Sequence, residues 1–409
     1  MNFLTELKEG LSISWTAIRA NKLRSVLTTL GIIIGIVTVT LMGTAIQGLN
    51  SAFVQSISFI GADVLYVQRE DWGPHSSDQW NQMQKRPDIT SQQAEALVRE
   101  LTTARAIAPV ANWMRPVKYK ERSSDRVLIF GTTDQYLHTG GMSLSEGRFI
   151  SEADSDGARP VCVLGSLIAT NLFGRDSPIG KKVTIGGRPF EVIGVLDKLG
   201  GMLSATLDNQ VVIPLVQFYS TFVWARDVDQ IQVKVGSLAD LDNAKEELRS
   251  AMRKVRRLAP TDPDDFAINQ QDQILSLFHE RAGVIAGIGL FITGLSLFVG
   301  GIGIMNIMFV SVAERTREIG VRKAIGAKPR TILLQFLIEA ATICLIGGLI
   351  AIGIAFPMTL VIKSFMPATM SPLVVGIAVL VSFVTGLVSG FMPAWRAARM
   401  DPVDALRNE

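Results

Sequence analysis

The sequence predicts a membrane α-helical protein: four transmembrane helices with a large α/β extracytoplasmic domain inserted between the first and the second. Three observations carry this. Hydrophobic residues make up 48% of the chain and charged residues only 19%, against roughly 25% charged in ordinary soluble domains. Apolar runs long enough to cross a bilayer recur four times. A polar region, residues 50–281, separates the first run from the other three, and its strand and helix patterns alternate.

Residues 1–24 place Leu4, Leu7, Leu11, Trp15 and Ile18 on one face at steps of three and four, followed by Arg19, Lys22 and Arg24. This predicts an amphipathic helix on the cytoplasmic membrane surface. Residues 25–61 hold no charge and form the first span with its extension. The apolar part is too long for a signal-peptide core. Gly31 and Gly35 leave room for close approach of another helix.

Within the polar region, ADVLYVQ reads as a strand and DWGPHSSDQWNQMQKRPD as a mobile loop. Thr90 with Gln93 forms a capping box ahead of the helix SQQAEALVREL. Further strands lie at IAPVANW and around Ser123–Ser124, the latter ending in RVLIFGTT. Residues 140–210 read as a separate small α/β lobe containing the hairpin KKVTI-Gly186-Gly187-RPFEVIGVL. Residues 62–139 and 211–270 make up the larger subdomain, including a helix with Leu238, Leu241, Ala244, Leu248, Met252 and Val255 on one face.

Residues 271–310 continue as a stalk and the second span. Its charge-free part, about 32 residues long, would extend ~48 Å as a helix, well beyond a ~30 Å hydrocarbon core. Residues 331–362 and 373–395 are the third and fourth spans, joined by the short KSFMPATMSP. Residues 396–409 form a tail with three arginines. Lysine and arginine are retained on the inner side of a membrane. Both termini and residues 311–330 are therefore expected inside, and residues 50–281 outside.

Catalytic chemistry finds no support. Gly174 to Gly180-Lys181-Lys182 is one residue too long for a phosphate-binding loop, and Lys182 stands where a magnesium-binding hydroxyl belongs. The histidines His75, His138 and His279 are scattered, and Cys162 and Cys344 fall in different environments, so no metal site or disulfide is indicated. Asp154, Asp156, Asp262, Asp264 and Asp265 read as solvated loop carboxylates without calcium-loop spacing. A net charge of +3 is too small to suggest nucleic-acid binding. Glu339 is the one carboxylate inside a span. It sits roughly 13 Å along a helix from Arg330, with Arg330 or Lys328 as the expected partner. A proton relay would need further intramembrane carboxylates or histidines, and there are none.

The most informative stretch is Met305–Arg330, MNIMFVSVAERTREIGVRKAIGAKPR, where an apolar run turns abruptly into a charge cluster. Glu318 and Arg322 are a favourable i,i+4 pair, and Glu314 with Arg317 is i,i+3. Gly326 with Lys328-Pro329 signals a helix stop. Val312, Ile319, Val321 and Ile325 are free to face membrane or a partner.

This stretch resembles the signature of the FtsX-like ABC transporter permeases of the MacB type. EGRFISEADSDGARPVCVLG, LFGRDSPIGKKVTIGGRPFEVIGVL, VVIPL and PAWRAARMDPVDALR are similar to the same family. The resemblance implies a non-catalytic inner-membrane subunit that binds no cofactor itself, with ATP and magnesium held by a separate ABC ATPase. It implies a porter-like subdomain with an inserted lobe, a homodimer, a periplasmic adaptor (membrane fusion) protein and, in a Gram-negative cell, an outer-membrane exit duct. It further implies that the helix within residues 311–330 docks on the ATPase. Glu314, Arg315, Thr316, Arg317 and Glu318 would make polar contacts, Ile319 and Val321 apolar ones, and Arg322 and Lys323 would serve the partner or lipid headgroups. The spans offer few polar groups for a water-filled route, so the expected mechanism is transmission of motion across the bilayer. A lipoprotein-releasing permease, an FtsX-like regulator of a wall hydrolase and a membrane-anchored enzyme or receptor remain open.

Overall fold

The computed structural model describes residues 22–57, 60–199, 204–222, 227–364 and 367–407. Most of the surface helix expected over residues 1–24 therefore lies outside the described residues. The chain divides into two units, Ala52–Glu280 and the remainder.

The first described helix is α1, Lys22–Ser56. The α/β unit follows with β1 (Val64–Gln68), α2 (Ser77–Gln84), β2 (Ile89–Thr90), α3 (Ser91–Glu100), β3 (Ala104–Tyr119) and β4 (Arg122–Thr132). Next come α4 (Tyr136–Thr139), β5 (Leu144–Gly147), α5 (Glu152–Asp156), β6 (Val161–Leu164), α6 (Ser166–Phe173), β7 (Lys182–Ile185) and β8 (Arg188–Leu196). The unit closes with α7 (Ser204–Leu207), β9 (Gln210–Pro214), α8 (Leu215–Phe222), β10 (Asp227–Val228), β11 (Gln230–Val235), α9 (Leu241–Val255) and β12 (Ala267–Asn269).

Ten strands form one mixed sheet in the order β12-β1-β11-β3-β4-β9-β6-β8-β5, with β7 pairing β3 and β8. Strand β3 is 16 residues long. Its first half pairs with β11 and its second half with β4 and β7. Pro116 lies at the register shift between Arg115 and Val117, where a residue without an N–H is tolerated. Strands β6 and β9 are buried along their whole length, and accordingly β6, and β9 after Gln210, read as apolar runs rather than alternating ones. The strands of residues 140–210 thus continue the sheet that starts in residues 62–139. The Gly186-Gly187 hairpin is present, with both residues at positive φ and Ile185 opposite Arg188.

Two local differences from the sequence reading have clear causes. The segment expected as a mobile loop contains α2, opened by a Ser76–Gln79 capping box. Its only buried residue is Met83, so apolar periodicity gives no sign of it. Asp154 is not a solvated carboxylate. Its side chain is fully buried, 2.5 Å from Arg148 and 3.5 Å from Arg159, and caps α5 through Ser151. These partners hold its pKa well below the usual carboxylate range, the hydrogen bond from Arg148 foremost.

The other unit contains most of α1 and continues with α10 (Gln271–Glu314), α11 (Thr316–Ala324), α12 (Pro329–Lys363), α13 (Pro372–Arg399) and α14 (Pro402–Arg407). Among the described residues four helices (α1, α10, α12 and α13) are long and apolar enough to cross a membrane. Helix α10 runs 44 residues without a break, a rise of ~66 Å. Small residues set the close contacts. A Cβ on Gly31 would lie 3.1 Å from the Gly300 backbone, and one on Gly386 would lie 2.8 Å from Ala341 Cα. The Gly31–Gly35 pattern therefore serves packing of α1 against α10 in the same chain. In the seam between α12 and α13, Ser382 donates to the Cys344 carbonyl.

Candidate functional site: the charged segment between the second and third spans

Helix α10 ends at Glu314, because Arg315 leaves helical geometry with φ −103° and ψ 15°. The chain re-enters a helix at Thr316, forming α11. This helix stops in a Schellman arrangement. Gly326 has φ +101° and donates to Lys323, while Ala327 donates to Arg322. Pro329 then occupies the first turn of α12, where its missing N–H costs nothing.

The expected site residues divide between two faces of this segment. Arg315, Ile319, Arg322 and Lys323 turn toward the chain itself. Arg315 Nη1 lies 3.3 Å from Glu339 Oε2 on α12, with the Glu339 side chain only 3% exposed. Glu339 is thus partnered by Arg315, not by Arg330 or Lys328. The break at Arg315 lets its side chain reach α12, which spacing along α12 alone could not reveal. Arg322 donates to Gln335 at 2.8 Å and pairs with Glu318, the i,i+4 pair expected from sequence. Lys323 Nζ donates to the Met400 carbonyl at 2.6 Å. Burial pushes the Lys323 pKa down, while the nearby Asp401 carboxylate works against that. Ile319, expected to offer apolar contact outward, is buried, as is Val312.

Glu314, Arg317, Glu318, Val321 and Ile325 face outward. Val321 is 42% exposed and Ile325 82% exposed. Thr316 is half-buried and its hydroxyl donates back to the end of α10, to the Ala313 carbonyl at 2.9 Å. Among the described residues no ion pair joins Glu314 to Arg317. The outward face therefore combines mixed charge with an apolar ridge and is carried on a helix fixed from behind.

The α/β unit carries a different feature, an open groove of about 1290 Å³ lined by residues that include Val98, Leu101, Arg105, Glu152, Val216 and Tyr219. Nothing in the sequence pattern pointed to it, because its walls come from α3, β3, α5 and α8, which are distant along the chain.

The family profile described as MacB-like periplasmic core domain matches residues 25–251. That described as FtsX-like permease C-terminal matches residues 290–402. The chain is 34% identical to the uncharacterized ABC transporter permease YknZ of Bacillus subtilis, over 98% of this chain and 100% of that protein. It is 32% identical to the macrolide export ATP-binding/permease protein MacB of Syntrophobacter fumaroxidans, over 99% of this chain but 64% of that protein's length. Against the crystal structure of the periplasmic region of MacB from Actinobacillus actinomycetemcomitans the TM-score is 0.43 at 20% identity, covering 55% of this chain and 95% of that one. With two profiles covering both units and relatives matched along nearly its whole length, the chain belongs to the MacB-type, FtsX-like family of ABC transporter permeases.

Proposed function

We propose that this chain is a permease subunit that couples ATP hydrolysis on a separate ATPase to work done by its α/β domain on the other side of the membrane. The outward face of α11 carries the reading. It presents Glu314, Arg317 and Glu318 beside exposed Val321 and Ile325, a mixed charged and apolar surface suited to a protein partner. In this reading nucleotide chemistry belongs to the partner. The spans offer few polar groups for a route through the bilayer, and the unbroken α10 favours transfer of motion over conduction of substrate.

In this reading residues 311–330 and both termini are cytoplasmic and the α/β domain is extracytoplasmic. Two copies of the chain work with two ATPase subunits. An adaptor protein joins them, with an exit duct where the host has an outer membrane. Residues 62–139 and 211–270 act as the porter-like part, with 140–210 as its inserted lobe.

The test reverses two outward charges that make no ion pair among the described residues, Glu314→Arg with Arg317→Glu. The full chain is purified with the ATPase that accompanies it from native membranes. The double variant is expected to lose at least ten-fold in stimulated ATP hydrolysis while keeping wild-type membrane levels. Unchanged stimulation, or the absence of any accompanying ATPase from the wild type, would overturn the proposal.

A further inference from the structure

Helix α14 and the residues leading into it form a close contact with the inward face of α11. Gly320 and Ala405 meet so tightly that a Cβ on Gly320 would lie 2.8 Å from the Ala405 Cβ and 3.4 Å from Leu406 Cγ. Ala405 is 1% exposed. Three residues further along α11, Lys323 Nζ donates to the Met400 carbonyl at the end of α13. The turn between these contacts is itself fixed. Asp401 accepts from the Val403 N–H through its carboxylate and from the Ala405 N–H through its carbonyl. Helix α14 buries Ala405 but leaves Val403 and Leu406 exposed. Its buried side is thus spent on α11.

From this geometry we infer that the segment Met400–Arg407 positions α11: it clamps the helix from behind and sets the angle at which the outward face is offered. A nine-residue helix is too short to be stable on its own in water, so its orientation must come from neighbours. The neighbours are α12, through Arg315–Glu339 and Arg322–Gln335, and the tail, through Gly320–Ala405 and Lys323–Met400. The α12 contacts hold its first turn and one flank. The tail meets the middle of the helix at Gly320, beside Ile319, which is buried in a cluster that includes Ile332 and Phe336 of α12. Gly320, Lys323 and Ala405 are therefore positioning residues that act through the outward face without belonging to it. The consequence for coupling rests on the function proposed above.

The experiment uses the full chain and two readouts. The first needs no partner: limited trypsin digestion, following cleavage after Arg317, Arg322 and Lys323. The second is ATP hydrolysis by the ATPase that accompanies the chain from native membranes. The variants are Ala405→Leu, which overfills the contact, Val403→Ala, a change on the exposed side of α14, and a chain ending at Met400. The overfilled and shortened chains are expected to be cut within α11 at least ten-fold faster, with the fragments of the α/β unit unchanged. They should also lose at least ten-fold in stimulated hydrolysis, while Val403→Ala behaves as wild type.

Unchanged cleavage in both altered chains would overturn the clamp. Faster cleavage with full stimulation would overturn its role in coupling. Faster cleavage in a wild-type background that recruits no ATPase would leave the clamp standing and overturn the proposed function instead.

Discussion

At the scale of single residues, buried charge is the feature with the largest energetic consequence. Glu339 is almost fully buried and has Arg315 as its partner. Removing one member of such a pair strands the other and typically costs ~3 kcal/mol, whereas replacing both with apolar groups is often neutral. Arg315→Met should therefore lower the thermal stability of the detergent-solubilised chain, and Arg315→Met with Glu339→Met should restore most of the loss. Equal melting temperatures for wild type and single variant would contradict the pairing.

In the α/β unit Glu247 holds the strand entry, accepting from the N–H and hydroxyl groups of Thr102 and Thr103. These bonds, the one from the Thr103 hydroxyl foremost, pull its pKa from 4.5 down to about 2. Because the folded value is depressed, the stabilisation is complete above pH 4.5 and disappears as pH falls toward 2. Unfolding of wild type followed by circular dichroism should show this loss between those limits, and Glu247→Gln should flatten the slope there. An unaltered slope in the variant would assign the acid sensitivity elsewhere. Which charges lie in spans and loops was legible from the sequence, but apart from the local Glu318–Arg322 pair their partners were not. Arg315 finds Glu339 only because the helix breaks at Arg315, and Asp154 is buried only because two arginines close over it.

Secondary-structure elements were legible wherever a local signal exists. The Thr90 capping box, the Gly186-Gly187 turn and the Gly326 stop all appear where spacing and residue type put them. The apolar runs became long helices for the same reason, although Pro357 in α12 and Pro393 in α13 each remove one N–H from the backbone ladder. Helix α2 escaped notice because it is short and almost wholly exposed, so capping was its only signal. The inward turn of Ile319 was likewise invisible, since the buried cluster it joins is built from residues of α12 and α13, among them Phe336 and Ala397. Close helix packing makes a prediction here. In Gly386→Val the added carbons would meet the backbone of Ala341 and the side chain of Cys344. Overpacking of this kind costs ~1–3 kcal/mol. The variant should unfold at a lower temperature in detergent, with Gly386→Ala intermediate. A valine variant as stable as wild type would mean that α12 and α13 are less tightly apposed than the contact distances require.

At the scale of the molecule, fold class was the most legible property. Hydropathy and charge asymmetry are sums over many residues and survive local misreadings. The order of strands was not legible, because a sheet that runs β12-β1-β11-β3-β4-β9-β6-β8-β5 pairs segments from opposite ends of the unit. The sixteen-residue β3 is the member common to both flanks of that sheet, and at ~3.3 Å per residue it measures ~53 Å from end to end. A plank nailed to both halves of a floor leaves no seam along which one half can drop. Under the function proposed above, displacement of one flank of the sheet reaches the other through this single shared strand.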